Sequence, residues 1–154
     1  MTRATAARAR VDVVLIDPAW GKALPGVERL VRKAARAALG AKVRSLTVAL
    51  SDDKRVQALN KRDRKKDKPT NVLSYPSGEK AFLGDIVLAR RTVWREAREQ
   101  KKTPADHVAH LVVHGTLHLL GYDHETSNAD AERMEALERR ILKKLGIADP
   151  YILK

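Results

Sequence analysis

Hydrophobic positions along the chain change their period several times, and each change marks a new element. The short β-branched run Val11-Asp-Val-Val-Leu-Ile16 predicts a strand. After Pro25-Gly26, the residues Val27, Leu30, Val31, Ala34, Ala35 and Ala38 share one helical face, and Gly40 supplies a stop. Leu46, Val48 and Leu50 alternate with Ser45, Thr47 and Ala49, which predicts a second strand. Ser51 or Asp52 can cap a short helix carrying Val56 and Leu59. Residues 61–70 have no apolar period and read as a cationic loop. Strands are expected at Asn71–Tyr75 and Asp85–Ala89, then a helix from Arg90 to Gln100.

Thr103-Pro104 has the form of an N-cap followed by proline at the first helical position. The helix it opens is apolar on nearly every side, through Val108, Leu111, Val112, Val113, Leu117, Leu119 and Leu120, and such a helix is buried. A last helix spans Asn128–Leu145, with Met134, Leu137, Ile141 and Leu145 on one stripe and Gly146 at its end. Strands lead and helices crowd the C-terminal half, so the class is α+β, a small mixed sheet with packed helices. Strand order is not set by local pattern.

Composition narrows the picture. The 154 residues fit one domain, assigned to 11–154, behind a basic tail at 1–10 that carries Arg3, Arg8 and Arg10 and is expected to be mobile. That tail lacks the apolar core of a secretory signal, and no apolar run reaches the ~18 residues of a membrane span. Cysteine is absent, so disulfides and thiolate metal sites are excluded; any metal must be held by His, Asp or Glu. Lys and Arg total 31 against 19 acids, a formal charge of +12. A surplus of this size favours polyanionic partners, nucleic acid first and an anionic membrane surface second.

The five histidines all lie between positions 107 and 124. His114 and His118 are four apart on the buried helix, so their rings project from one face a turn apart. Gly121 allows the chain to reverse, and His124 follows three residues later. Three neutral imidazoles suit one zinc ion, although such a set accepts other divalent metals too, and leave a fourth tetrahedral position open, the mark of a catalytic site in which bound water is acidified to a pKa of about 7. His107 and His110 lie on the same face but receive no ligand role. The same spacing occurs in the long zinc-protease motif, which makes the metal-bearing helix zincin-like. The protease's general base, however, is replaced by Gly115. Asp85 and Asp123 are the candidates for a base or for a carboxylate that orients a ligand; Glu125 reads as a solvated acid.

The string His114-Gly-Thr-Leu-His118-Leu-Leu-Gly-Tyr-Asp-His124 resembles the signature of the YbeY family of bacterial endoribonucleases, or rRNA maturation factors. Leu59-Asn60 with Arg64, Lys66-Asp67 and Pro69-Thr70, then Val72-Leu-Ser-Tyr-Pro76 and Leu83-Gly-Asp-Ile-Val-Leu88, resemble further family segments in order. The resemblance implies a cytoplasmic, single-strand-directed, metal-dependent endoribonuclease acting on small-subunit ribosomal RNA, including its 3′ end, and in ribosome quality control. It implies one zinc ion on His114, His118 and His124, and a functional arginine at Arg64. Lys61, Lys65 and Lys66, with Arg62 and Lys68, would follow the RNA backbone. Asp63 and Asn71 depart from the aromatic and the acid that the family often has there. Two other readings compete: a small zincin-like peptidase or amidohydrolase, and a ribosome-assembly or RNA-binding factor with structural zinc.

Overall fold

The computed structural model describes residues 9–122 and 127–151. Among these residues the chain runs β1 (Val11–Leu15), α1 (Ala19–Ala23), α2 (Val27–Leu39), β2 (Ser45–Ser51), α3 (Asp53–Arg64), β3 (Val72–Pro76), β4 (Phe82–Ala89), α4 (Arg90–Glu99), α5 (Pro104–Leu119) and α6 (Asn128–Lys144). Most of the tail expected at 1–10 lies outside the described residues, as do Asp123, His124 and Glu125. The sheet order is β1-β2-β4-β3. β1, β2 and β4 are parallel, and β3 joins β4 antiparallel at the edge, so the sheet is mixed and the class is α+β.

Alternation along β2 and β4 decides what each face meets. Leu46, Val48, Leu50, Ile86 and Leu88 are fully buried on the face that also receives Val31 and Leu39 of α2 and Val108, Val112 and Leu117 of α5. The opposite face carries Leu73, Val87 and Ala89, covered by Val56 and Leu59 of α3. α5 is therefore the central helix, packed against the sheet, α2, α4 and α6, which is why it is apolar all round.

Two elements differ from the sequence expectation. α1 has no apolar period, yet it buries Trp20, whose indole N–H donates to the Ser51 carbonyl (2.8 Å) and whose ring meets Trp94 edge-on at 5.3 Å. α3 continues through Lys61, Arg62 and Asp63 to Arg64, so four residues assigned to the loop are helical. Asp52 caps α3 by accepting from the Arg55 backbone N–H (2.8 Å), and Lys65 ends it at φ +57°. The loop beyond is pinned rather than loose. Buried Asn60 donates to the Lys68 carbonyl (3.0 Å), and its own carbonyl accepts from the Lys66 N–H (3.2 Å).

The sheet register also jumps at Leu83, where Ser45 faces Phe82 and Leu46 faces Gly84. Gly84 sits there at φ +143°, and a Cβ would collide with the Tyr75 carbonyl oxygen. Gly84→Ala is expected to cost about 2–4 kcal/mol, since strain and a backbone clash act together. The midpoint of urea unfolding checks it, an unshifted midpoint being the contrary result.

Candidate metal and RNA-contact site

The site is built on α5. Its Thr103 side chain accepts from the Asp106 backbone N–H (3.1 Å), with Pro104 in the first turn, and Gly121 at φ +105° turns the chain after the helix. His107, His110, His114 and His118 run along one side of it. Ring centroids are 6.1 Å apart for His107 and His110 and 6.4 Å for His110 and His114.

Two carboxylates sort these rings into different tautomers. His107 Nε2 donates to Glu96 Oε1 (2.8 Å), which also accepts from Asn71 Nδ2 (2.8 Å). Burial pushes the Glu96 carboxyl up, but these two hydrogen bonds outweigh it and leave Glu96 below the usual carboxylate range. His110 Nε2 donates to Glu138 Oε2 (3.0 Å), and burial lowers the pKa of that imidazole despite the carboxylate beside it. Both rings therefore carry their proton on Nε2, with Nδ1 buried and lacking a partner. His107 is 2% exposed, so it is a core residue.

His114 is oriented the other way. Its Nδ1 lies 2.6 Å from Glu138 Oε1. An ionised carboxylate only accepts, so the neutral ring carries its proton on Nδ1 and its lone pair on Nε2. That is the form in which an imidazole ligates a metal with a carboxylate behind it. Burial alone would raise the Glu138 carboxyl, but hydrogen bonds from His110, His114 and Tyr151 hold it at about 2. His118 is half-buried one turn further along. His124, the third predicted ligand, lies outside the described residues, and among those described no group of three His, Asp or Glu gathers to hold an ion. The donor chemistry of His114 and His118 fits a nitrogen-ligated divalent ion.

Glu138 is the residue that sequence reasoning missed. It lies four positions after Met134 and three before Ile141, inside the apolar stripe of α6, and is fully buried. An acid at a core position of an amphipathic helix was the available signal.

The arginine and the lysines stand on the α3 side. Arg64 closes α3, and its Nη2 donates to the Ser74 carbonyl on β3 (2.7 Å), with its guanidinium 5.9 Å from the Tyr75 ring centroid. The Tyr75 hydroxyl donates to Asp63 (2.9 Å), which also takes two hydrogen bonds from Arg62, so the departure at Asp63 ties β3 to the end of α3. β3 is the edge strand and packs against both α3 and α5, so it is the common neighbour of Arg64 and the histidine helix. Lys61 pairs loosely with Asp67 (3.8 Å); Lys65 and Lys66 are exposed on the pinned loop. Asp85 alternates with Gly84 and Ile86 on β4, so its side chain leaves the sheet on the α3 face, opposite α5. The structure does not bring it together with His114 and His118.

Gly115 explains the missing protease base. It packs on β4, where a Cβ would already stand 3.1 Å from Ile86 Cδ1. A glutamate at that position would be driven into the sheet.

Fold and site define a small α+β protein whose buried central helix presents His114, backed by a carboxylate, and His118, while a cationic helix end packs on the same edge strand, β3. The family model described as Endoribonuclease YbeY matches residues 21–146. An Endoribonuclease YbeY from Azorhizobium caulinodans is 49% identical, covering 93% of this chain and 96% of the relative. Its counterpart from Novosphingobium aromaticivorans is 46% identical, covering 90% and 94%. A solution structure from Thermotoga maritima matches with a TM-score of 0.56 at 25% identity, over 93% of this chain and 99% of that one. The chain belongs to the YbeY endoribonuclease family.

Proposed function

We propose that this protein is a metal-dependent endoribonuclease that cuts single-stranded RNA, with one zinc-type ion per chain on His114, His118 and His124. The observation that carries the reading is the orientation of His114, whose Nδ1 faces Glu138 and whose lone pair is on Nε2. Membership in a family whose relatives are named endoribonucleases supplies the reaction class. When bound, the ion supplies Lewis acidity toward phosphoryl oxygens and acidifies water. With two ligands on one buried helix, the arrangement is zincin-like in its metal site while lacking the peptidase's base.

The chain's own groups then divide the work. Arg64 offers a planar fork of donors to the phosphoryl oxygens as charge builds on them. Tyr75 and the Ser74 carbonyl hold that fork at the edge of β3. Lys61, Lys65 and Lys66 follow the RNA backbone. Of the two base candidates, the Asp85 side chain faces away from α5, which leaves Asp123, adjacent to His124 in sequence. The nucleophile is water or the RNA's own 2′-OH. The family resemblance supplies the cellular substrate, small-subunit ribosomal RNA during ribosome maturation, and a cytoplasmic setting. No helix among the described residues is long and apolar enough to cross a membrane.

An end-labelled RNA, offered single-stranded and annealed to its complement, tests the reading. The single strand is expected to be cut internally and the duplex spared. Binding should weaken steeply with salt, by about 10²-fold between 50 and 200 mM if about four to five phosphates are contacted. Equal cleavage of both forms, or binding indifferent to salt, would contradict it.

A further inference from the structure

The buried cluster behind His114 is larger than one hydrogen bond. Glu138 is fully buried on α6 and is approached from three sides. His114 donates to Oε1; His110 and the Tyr151 hydroxyl both donate to Oε2. Tyr151 comes from the segment after α6. Its backbone N–H donates to Asp149 (2.8 Å), Arg139 stacks over its ring at 5.3 Å, and Arg139 pairs with Asp149 (3.0 Å). A carboxylate buried without use would be a costly feature of a core. Here each oxygen is matched to a donor: Oε1 to the His114 ring, Oε2 to His110 and Tyr151.

We propose that Glu138 is a positioning residue for the metal site: it holds His114 by Nδ1, fixes the ring's tautomer and direction, and is itself held by His110 and Tyr151. The inference rests on the reading of His114 as a metal ligand. The carboxylate touches neither substrate nor ion and acts through the imidazole. It makes the ring a stronger donor at Nε2 and removes the rotations in which Nε2 faces elsewhere. His110 and Tyr151 act one step further back, because losing either donor still leaves the Oε1 bond to His114 in place. The two kinds of residue are buried in the same network, yet they differ in their effect on the ion.

The test compares wild type, Glu138→Gln and Tyr151→Phe. Each is stripped of metal, checked for fold by circular dichroism and thermal midpoint, and titrated with Zn²⁺ and Co²⁺ against a competing chelator. Long-range ¹H–¹⁵N spectra of the stripped wild type report the His114 tautomer directly, without any substitution. The expected results are a proton on His114 Nδ1 in wild type and a 10- to 100-fold loss of metal affinity in Glu138→Gln. The Co²⁺ absorption bands of that variant shift, while Tyr151→Phe stays within about threefold of wild type. If Glu138→Gln does not fold, the wild-type tautomer decides. A proton on Nε2 of His114 overturns the proposal, as does Glu138→Gln that folds and binds metal like wild type. Equal losses in both variants, tracking their thermal midpoints, overturn it too, because they mark a purely structural cluster. Wild type that binds no ion overturns the metal reading and the positioning role together, which separates that failure from the others.

Discussion

Replacing His118 by alanine is expected to abolish RNA cleavage and to release the ion while leaving the fold intact. Structural zinc sites bind with about 10–16 kcal/mol over four ligands, so one imidazole carries about 3–4 kcal/mol, on the order of 10²- to 10³-fold in affinity. Alanine is the strongest helix former, and His118 lies half-buried near the end of α5, so the substitution removes a ligand without removing the helix. Metal content after dialysis, the circular dichroism spectrum and the cleavage rate of a labelled single strand check the three parts together. A variant that keeps its ion and its rate takes His118 out of the site.

Arg64→Ala has the second largest expected effect, and it should leave metal binding alone. A fixed donor aimed at developing charge is worth about 10²- to 10³-fold in rate, so kcat should fall by that factor while bound metal stays at the wild-type level. Asp63 still ties the end of α3 to Tyr75, so losing the single hydrogen bond to the Ser74 carbonyl should cost only about 1 kcal/mol of stability. Arg64→Lys keeps the charge but loses the planar fork, and is expected to recover only part of the rate. An unchanged kcat with a raised KM would instead make Arg64 one more backbone contact like Lys61 or Lys65.

Much of this site is legible in the sequence, and the rest is hidden for identifiable reasons. Thr103-Pro104, Gly121 and the four-residue spacing of His114 and His118 are local signals, and the helix, its cap and its histidine face follow from them. Local signals also give α2 and its stop at Gly40, the cap of α3 at Asp52, and the strands, within a few residues. What escapes is set by contacts distant in sequence. The end of α3 carries Lys61, Arg62, Asp63 and Arg64, which have no apolar period; the helix continues there because Asp63 meets Tyr75 and Arg64 meets the Ser74 carbonyl. α4 has alanine at its N-cap and no cap of its own. Asp53, 38 residues earlier, accepts from the backbone N–H groups of Arg91 (2.7 Å) and Thr92 (2.9 Å). Glu138 is hidden for a related reason. Its place on the apolar stripe of α6 marks it as a core acid, but only the packing of α6 on α5 makes it the partner of His114. The face to which Asp85 points depends on strand register, which one residue of slippage would invert.

Stripping wild-type protein with a chelator and restoring Zn²⁺ stepwise, with single-strand cleavage followed at each step, tests the central claim most directly. The account predicts no cleavage without metal, a rise proportional to added Zn²⁺ up to about one equivalent per chain, and a plateau beyond it. Cleavage that survives stripping, or one equivalent bound with no cleavage of RNA, would contradict it.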